Sequence, residues 1–132
     1  PGHGNFIINS LYPYDWRSPQ NDNLWQGMNG INNPCPSGYR VPTIAEINAE
    51  FTEYSITNTA TAFASSFKFT VPGYRSMNGV LVTVGNYGYY WSSSVSNTIS
   101  TIASYRSFYS GGTDTYYYYD RAYGFSVRCI KD

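Results

Sequence analysis

The sequence predicts an α+β domain, and two observations carry that prediction. A strong amphipathic helix signal lies early, in VPTIAEINAEFTEY (41–54). Beyond residue 67 the chain turns to β-branched or alternating runs broken by glycine-containing turns, the pattern of an antiparallel sheet. A helix first and strands afterwards is the segregated order of α+β architecture. With 132 residues the chain can bury one real core. No repeat or linker divides it, so 1–132 reads as a single domain; beginning mid-stream at Pro1, it is expected to be the C-terminal part of a longer protein.

In chain order, GNFIINS (4–10) is expected to be a short strand that ends in polar residues. Residues 12–40 carry many Pro, Gly, Asn and Asp and no sustained period, which predicts an ordered loop with Trp16 and Trp25 as core anchors. At the helix, Thr43 can cap, Glu46 completes a capping box, and Pro42 keeps the helix from extending backwards. Ile44, Ile47 and Phe51 share one face. Glu46, Glu50 and Glu53 lie mostly on the other, where a solvated face explains them better than metal or acid–base work. TATAFASSF (59–67) predicts a second, weaker helix. Four strand segments follow: KFTVPGYR (68–75), GVLVTVGNYGYYWSSSV (79–95), TISTIASYRSFYS (98–110) and GFSVRCIKD (124–132).

Composition narrows the function. Eight basic residues balance eight acidic ones and no basic run occurs, so nucleic acid and anionic membranes are poor partners. No apolar stretch approaches the roughly 18 residues of a membrane span. Aromatic residues (19 %) outnumber charged ones (12 %), and residues 76–105 hold no charge at all. Polarity there comes from Ser, Thr, Asn, Tyr and backbone amides, the chemistry of extracellular β-rich domains and paratopes.

Catalytic groups are sparse. The single histidine, His3, sits at the terminus, which argues against a Ser–His–Asp arrangement. No Cys/His cluster has zinc spacing and no glycine-rich phosphate loop follows a strand. Asp114 and Asp120, flanking TYYYY, are a thin basis for hydrolysis. The chain reads as a non-enzyme without metal or cofactor. Cys35 and Cys129 are either two buried thiols or a disulfide; the rigid and strand-like segments around them favour the disulfide, closing most of the domain into one loop.

The stretch TYYYYDRAYGFSVRC (115–129) concentrates tyrosines beside a strand-like segment. Tyrosine offers large amphipathic contact area with few rotors to freeze, so it suits binding surfaces. In a strand, alternate tyrosines would point inward. The expectation is that most of Tyr116, Tyr117, Tyr118 and Tyr119 are exposed in a loop or irregular segment.

Four motifs then carry a resemblance: NNPCPSGYRVPTIAE (32–46), VPGYR (71–75), YYWSSS (89–94) and RAYGFSVRCIKD (121–132). In this order they resemble the C-type-lectin-fold surface domains of gut bacteria and their phages, with their Cys-Pro-Ser-Gly-hydrophobic-Arg-x-Pro-Thr signature. More narrowly, the chain resembles the variable proteins of diversity-generating retroelements, in which a reverse transcriptase mutates template adenines and scatters chosen Asn codons. Such scattering of AAC or AAT codons cannot produce Lys, Glu, Gln, Met or Trp. Residues 92–130 contain none of these, although the remainder of the chain holds twelve. Lys and Glu are among the commonest residues in globular domains, so their absence favours the narrower resemblance.

The resemblance implies a C-type-lectin-like fold, with one or two helices packed on a twisted antiparallel sheet and long ordered loops. It implies a framework of Trp91, Gly124, Phe125, Val127 and Cys129. The exposed, variable set would be Tyr89, Ser104, Tyr105, Ser107, Tyr109, Tyr116, Tyr117, Tyr118, Tyr119, Asp120 and Tyr123. The implied function is hypervariable ligand binding at a bacterial surface or phage tip, with a protein or glycan receptor on another cell as partner. A constant adhesive or fimbria-associated surface domain of the same fold is the alternative. The chain lacks Glu-Pro-Asn, Gln-Pro-Asp and Trp-Asn-Asp, which argues against calcium-mediated sugar binding. The formylglycine-generating oxidases share the fold but need a catalytic cysteine pair, and a structural role for both cysteines leaves none.

Overall fold

The computed structural model describes residues 5–114 and 118–132. His3, Tyr116 and Tyr117 therefore lie outside the described residues. The elements are β1 (Tyr39–Arg40), α1 (Ile44–Glu53), α2 (Thr59–Ala64), β2 (Tyr74–Arg75), β3 (Leu81–Val82), β4 (Tyr87–Val95), β5 (Ile102–Tyr109), β6 (Gly112–Thr113), β7 (Tyr118–Asp120) and β8 (Ile130–Lys131). All strand pairs are antiparallel, so the fold is α+β with the helices ahead of the main sheet.

Helix α1 starts where its local chemistry dictates. Thr43 Oγ1 accepts from the Glu46 N–H at 3.3 Å, and Glu46 Oε2 accepts from the Thr43 N–H at 2.8 Å, which closes the capping box. Thr43→Ala is expected to cost about 1 kcal/mol in denaturant unfolding. A change near zero would mean that the cap contributes nothing.

Glu46 also accepts from Arg40 Nη1 and Nη2 at 2.8 and 2.6 Å, while Arg40 Nε reaches Asp132. These Arg40 bonds, with help from the Thr43 N–H and hydroxyl, hold the Glu46 carboxyl down at about 2 instead of 4.5, against the opposing effect of burial. The folded value lies below the unfolded one, so this stabilisation is present above pH 4.5 and is lost as pH falls towards 2. Melting curves across that window should show Glu46→Gln losing less Tm on acidification than the natural chain. Parallel losses would remove Glu46 from the acid transition.

Helix α2 is capped in the same way, with Asn58 Oδ1 accepting from the Thr61 N–H at 3.1 Å and Thr61 Oγ1 accepting from the Asn58 N–H at 3.1 Å. It ends at Ala64, short of the expected residue 67, because Ser65 turns to extended backbone.

The centre of the molecule is the β4–β5 pair, in which Tyr87 lies opposite Tyr109 and Trp91 opposite Tyr105. Alternation along both strands divides their side chains between two aromatic layers. Tyr90 and Phe108 enter a core with Ile47, Phe51, Ile56, Ala62 and Phe69, beneath the helices. Arg106, on the same side as Tyr90, stacks its guanidinium 4.6 Å from the Phe51 ring centre. Trp91 and Tyr105 turn the other way and pack with Phe125. Gly88 has no room for a side chain: a Cβ there would lie 2.3 Å from Phe108. The Tyr90 hydroxyl, buried in the first core, accepts from the Thr70 N–H at 3.0 Å.

Several expected strands prove shorter or absent, each for a physical reason. Residues 5–10 form no ladder; Phe6 and Ile8 instead lie along Gly124 and Gly79. In 68–75, Lys68 has φ 52°, Pro72 lacks an N–H, and Thr70 bonds a side chain, so only β2 survives. The 79–95 run breaks at Thr83 (φ 54°) and Gly85 (φ 81°) into β3 and β4. The final segment takes three partners in turn, Arg75, Tyr90 and β1, so no ladder there exceeds two residues. Trp16 and Trp25 are also corrected: both are half-buried rather than core, and Trp25 flanks the second cluster.

Cys35 and Cys129 are joined in a disulfide that spans 94 residues of chain, with Cα atoms 5.8 Å apart. Cys129 immediately precedes β8, and Cys35 lies four residues before β1, so the bridge staples the two-residue pairing between them. No helix among the described residues is long and apolar enough to cross a membrane.

Candidate functional site

Six tyrosines form a continuous belt along one side of the second aromatic layer. Tyr109 stacks on Tyr87 across the strands, Tyr87 stacks on Tyr89, and Tyr89 meets Tyr74 edge-on. Tyr74 then touches Tyr123, and Tyr123 meets Tyr119 edge-on. Successive ring centres are 4.4 to 5.8 Å apart, the spacing of favourable aromatic pairs. Beneath the belt lie Trp91, Tyr105 and Phe125, with Trp91 stacked on Phe125 at 4.3 Å. The belt rings are half-buried apart from Tyr119, which is exposed.

The return segment positions this layer. Ser126 donates its N–H to Tyr89 O at 3.0 Å and accepts from the Trp91 N–H at 2.9 Å, which lays Phe125 over the face of β4. Gly124 exchanges backbone hydrogen bonds with Arg75 at 2.8 and 2.9 Å. A Cβ there would stand 2.5 Å from the Phe6 ring, so a side chain would push that contact apart. Val127 packs partly buried against the cluster.

Three residues expected on the exposed surface are instead interior. Ser107 is fully buried, Tyr105 keeps 5 % of its surface, and Ser104 is buried with them. The reason is that β5 is a central strand covered on both faces, by the helices on one side and by the Phe125 segment on the other. The Ser107 hydroxyl donates to Asp114 Oδ2 at 2.6 Å, and the Ser104 carbonyl accepts from the Ser92 hydroxyl at 2.9 Å. The buried Ser107 hydroxyl is therefore a structural polar group.

Tyr118 and Tyr119 are exposed, Tyr118 retaining 50 % of its surface. Contrary to expectation they are not irregular: with Asp120 they form β7, paired with Ile102, Ala103 and Ser104 of β5. Tyr89, Tyr109, Asp120 and Tyr123 are half-buried. Tyr74 and Tyr87 belong to the belt without having been anticipated. Tyr87 was signalled by its i,i+2 spacing to Tyr89 on one strand face. Nothing local marks Tyr74, which enters through the pairing of its neighbours with Gly124 and β3.

At Tyr89, Tyr74 and Tyr123 the belt's polar tips are phenols held protonated. Burial, then the negative charge of Asp114, pushes the Tyr89 hydroxyl up. Burial raises that of Tyr74 as well, and burial with the Tyr119 hydrogen bond pushes Tyr123 up to about 12. At neutral pH these groups can donate as well as accept hydrogen bonds. Burial also pushes the Asp120 carboxyl up. Asp114 and Asp120 do not form a carboxylate pair. Asp114 aligns with Ser107 and Asp120 with Ile102, five residues apart on β5. That is about 17 Å of strand, beyond the roughly 10 Å limit of glycosidase carboxylates. Among the described residues no three His, Cys, Asp or Glu side chains gather as a metal site.

A comparison of the chain with protein-family models, curated proteins and solved structures finds no match.

Proposed function

We propose that this chain is a hypervariable ligand-binding module on a C-type-lectin-like scaffold, acting outside the cell at a bacterial surface or phage tip and engaging a protein or glycan receptor on another cell. The observation that carries the reading is the belt of Tyr109, Tyr87, Tyr89, Tyr74, Tyr123 and Tyr119, contiguous and partly exposed above a buried aromatic layer. Rings already held by their neighbours lose little entropy on binding, and protonated phenols add adaptable hydrogen bonds. The absence of Lys, Glu, Gln, Met and Trp from residues 92–130 supports diversification through adenine mutagenesis. The disulfide suits an oxidising compartment.

A constant adhesive domain is the second reading, and the burial of Ser104, Tyr105 and Ser107 favours it. Positions held by packing on both sides of a sheet tolerate little variation. The flanking DNA separates the two. A near-identical repeat of the segment encoding 92–130, differing only opposite adenines and lying beside a reverse-transcriptase gene, is expected. If the repeat and the gene are both absent, the constant adhesive reading replaces the hypervariable one.

A further inference from the structure

A pocket of about 250 Å³ lies between α1, β4 and the final segment of the chain. Its walls are Ile47 of α1, Phe67 and Phe69 of the loop after α2, Tyr90 of β4 and Ile130 of β8. Ile47, Phe69 and Tyr90 are buried, and Phe67 and Ile130 are half-buried, so the recess is apolar. An apolar cavity of about 150 Å³ already takes a benzene ring, so this one has room for a phenyl group on a short stem. The Tyr90 hydroxyl is engaged: it accepts from the Thr70 N–H at 3.0 Å and donates to the Thr70 carbonyl at 3.2 Å. The body of a ligand seated here must therefore be apolar.

Three charged side chains also line the pocket, Glu46 and Glu50 of α1 and Arg128 of the return segment. Both oxygens of Glu46 are occupied, by Arg40 and by Thr43. Glu50 is only half occupied: Oε1 accepts from the Ser66 hydroxyl at 2.7 Å, and Oε2 accepts no hydrogen bond among the described residues. Burial pushes the Glu50 carboxyl up, the Ser66 bond opposing and the charge of Glu53 adding to the rise. Arg128 is exposed, and its side chain makes no hydrogen bond, ion pair or ring contact among the described residues. The pocket thus presents one open anionic acceptor and one open cationic fork of donors, which together carry no net charge.

A ligand carboxylate alone would pair with Arg128 but meet the charge of Glu50, and an amine alone would do the reverse. A molecule with both groups on one carbon satisfies both, provided that an apolar side chain leads from that carbon into the recess. Charge-assisted hydrogen bonds are the strong polar contacts, and a few of them set beside apolar walls are the usual make-up of a small-molecule site.

We propose that this pocket binds a free α-amino acid with a large apolar side chain, phenylalanine by size, with the side chain in the recess, the carboxylate on Arg128 and the ammonium on Glu50. No tyrosine of the belt lines the pocket, so the inference does not rest on the function proposed for the belt.

Isothermal titration of the unsubstituted chain with phenylalanine should saturate with a Kd of about 0.1–1 mM, as suits about a dozen heavy atoms at ordinary ligand efficiency. Glycine, with both charges and no side chain, should give no saturable heat in that range. 3-Phenylpropionate and phenethylamine each lack one charge and should bind about ten-fold more weakly. Arg128→Gln, a change at an exposed position, should weaken phenylalanine about ten-fold and leave phenethylamine unaffected. Glu50→Gln keeps an acceptor for Ser66 and should weaken phenylalanine to a similar degree. Saturation-transfer NMR on the unsubstituted chain should show its strongest transfer on the phenyl protons, a readout that needs no variant to fold. The proposal is overturned by no saturable binding of phenylalanine, by glycine or either single-charge analogue binding as tightly, by a folded Arg128→Gln that binds phenylalanine unchanged, or by absent transfer to the phenyl protons.

Discussion

Trp91→Ala and Phe125→Ala are each expected to lower the unfolding free energy by about 3–5 kcal/mol, the usual cost of truncating a core aromatic. For a chain of this size that is a fall in Tm of roughly 10–20 °C. The two rings stack 4.3 Å apart between β4 and the return segment, so either deletion leaves a void that two backbones must collapse to fill. Tyr105→Ser is expected to fall with them, since its ring lies 5.0 Å from Phe125 and meets Trp91 edge-on. Tyr118→Ser should change stability by less than about 0.5 kcal/mol, as surface substitutions do. A thermal-melt series on these four variants checks the division. If Tyr105→Ser melts like Tyr118→Ser, the second aromatic layer is not a core.

Replacing both Cys35 and Cys129 by serine is expected to cost about 4–5 kcal/mol, because the bridge closes a very long loop in the unfolded chain. The loss has a local side too. The pairing of β1 with β8 spans only two residues and cannot hold itself, so the bridge anchors the segment that delivers Phe125 to β4. Denaturant unfolding of the double variant measures the loss. Thiol titration of the unfolded, unreduced natural chain should find no free thiol. Two titratable thiols, or a double variant as stable as the natural chain, would overturn the assignment.

Much of the fold was legible because its determinants are local. Thr43 and Glu46 lie three residues apart and specify the start of α1 by themselves, and the spacing of Ile47 and Phe51 specifies its buried face. Asn58 and Thr61 do the same for α2. Runs of alternating residues announced β4 and β5, and the cysteine contexts announced the bridge. The tyrosines' capacity for binding was legible in the same way, as a property of residue type.

What only the tertiary structure decided is which of those residues face outward. Alternation states that Tyr105 and Tyr109 share a strand face, but burial depends on what covers each end of it. Phe125 arrives over Tyr105 from twenty residues further along the chain, while among the described residues no such ring arrives over Tyr109. The short strands have the same origin: residues 124–131 touch three partners far apart in sequence, and no local pattern encodes such changes of partner. A small notch lined by Trp16, Trp25, Trp91, Asp15 and Arg121 depends on it most, since these residues come from loops and a strand brought together only by folding. Helix caps and alternation are short-range interactions written in adjacent residues. Burial, ring stacking and ion pairing join residues dozens of positions apart, and exist only once the sheet has closed around both of its faces.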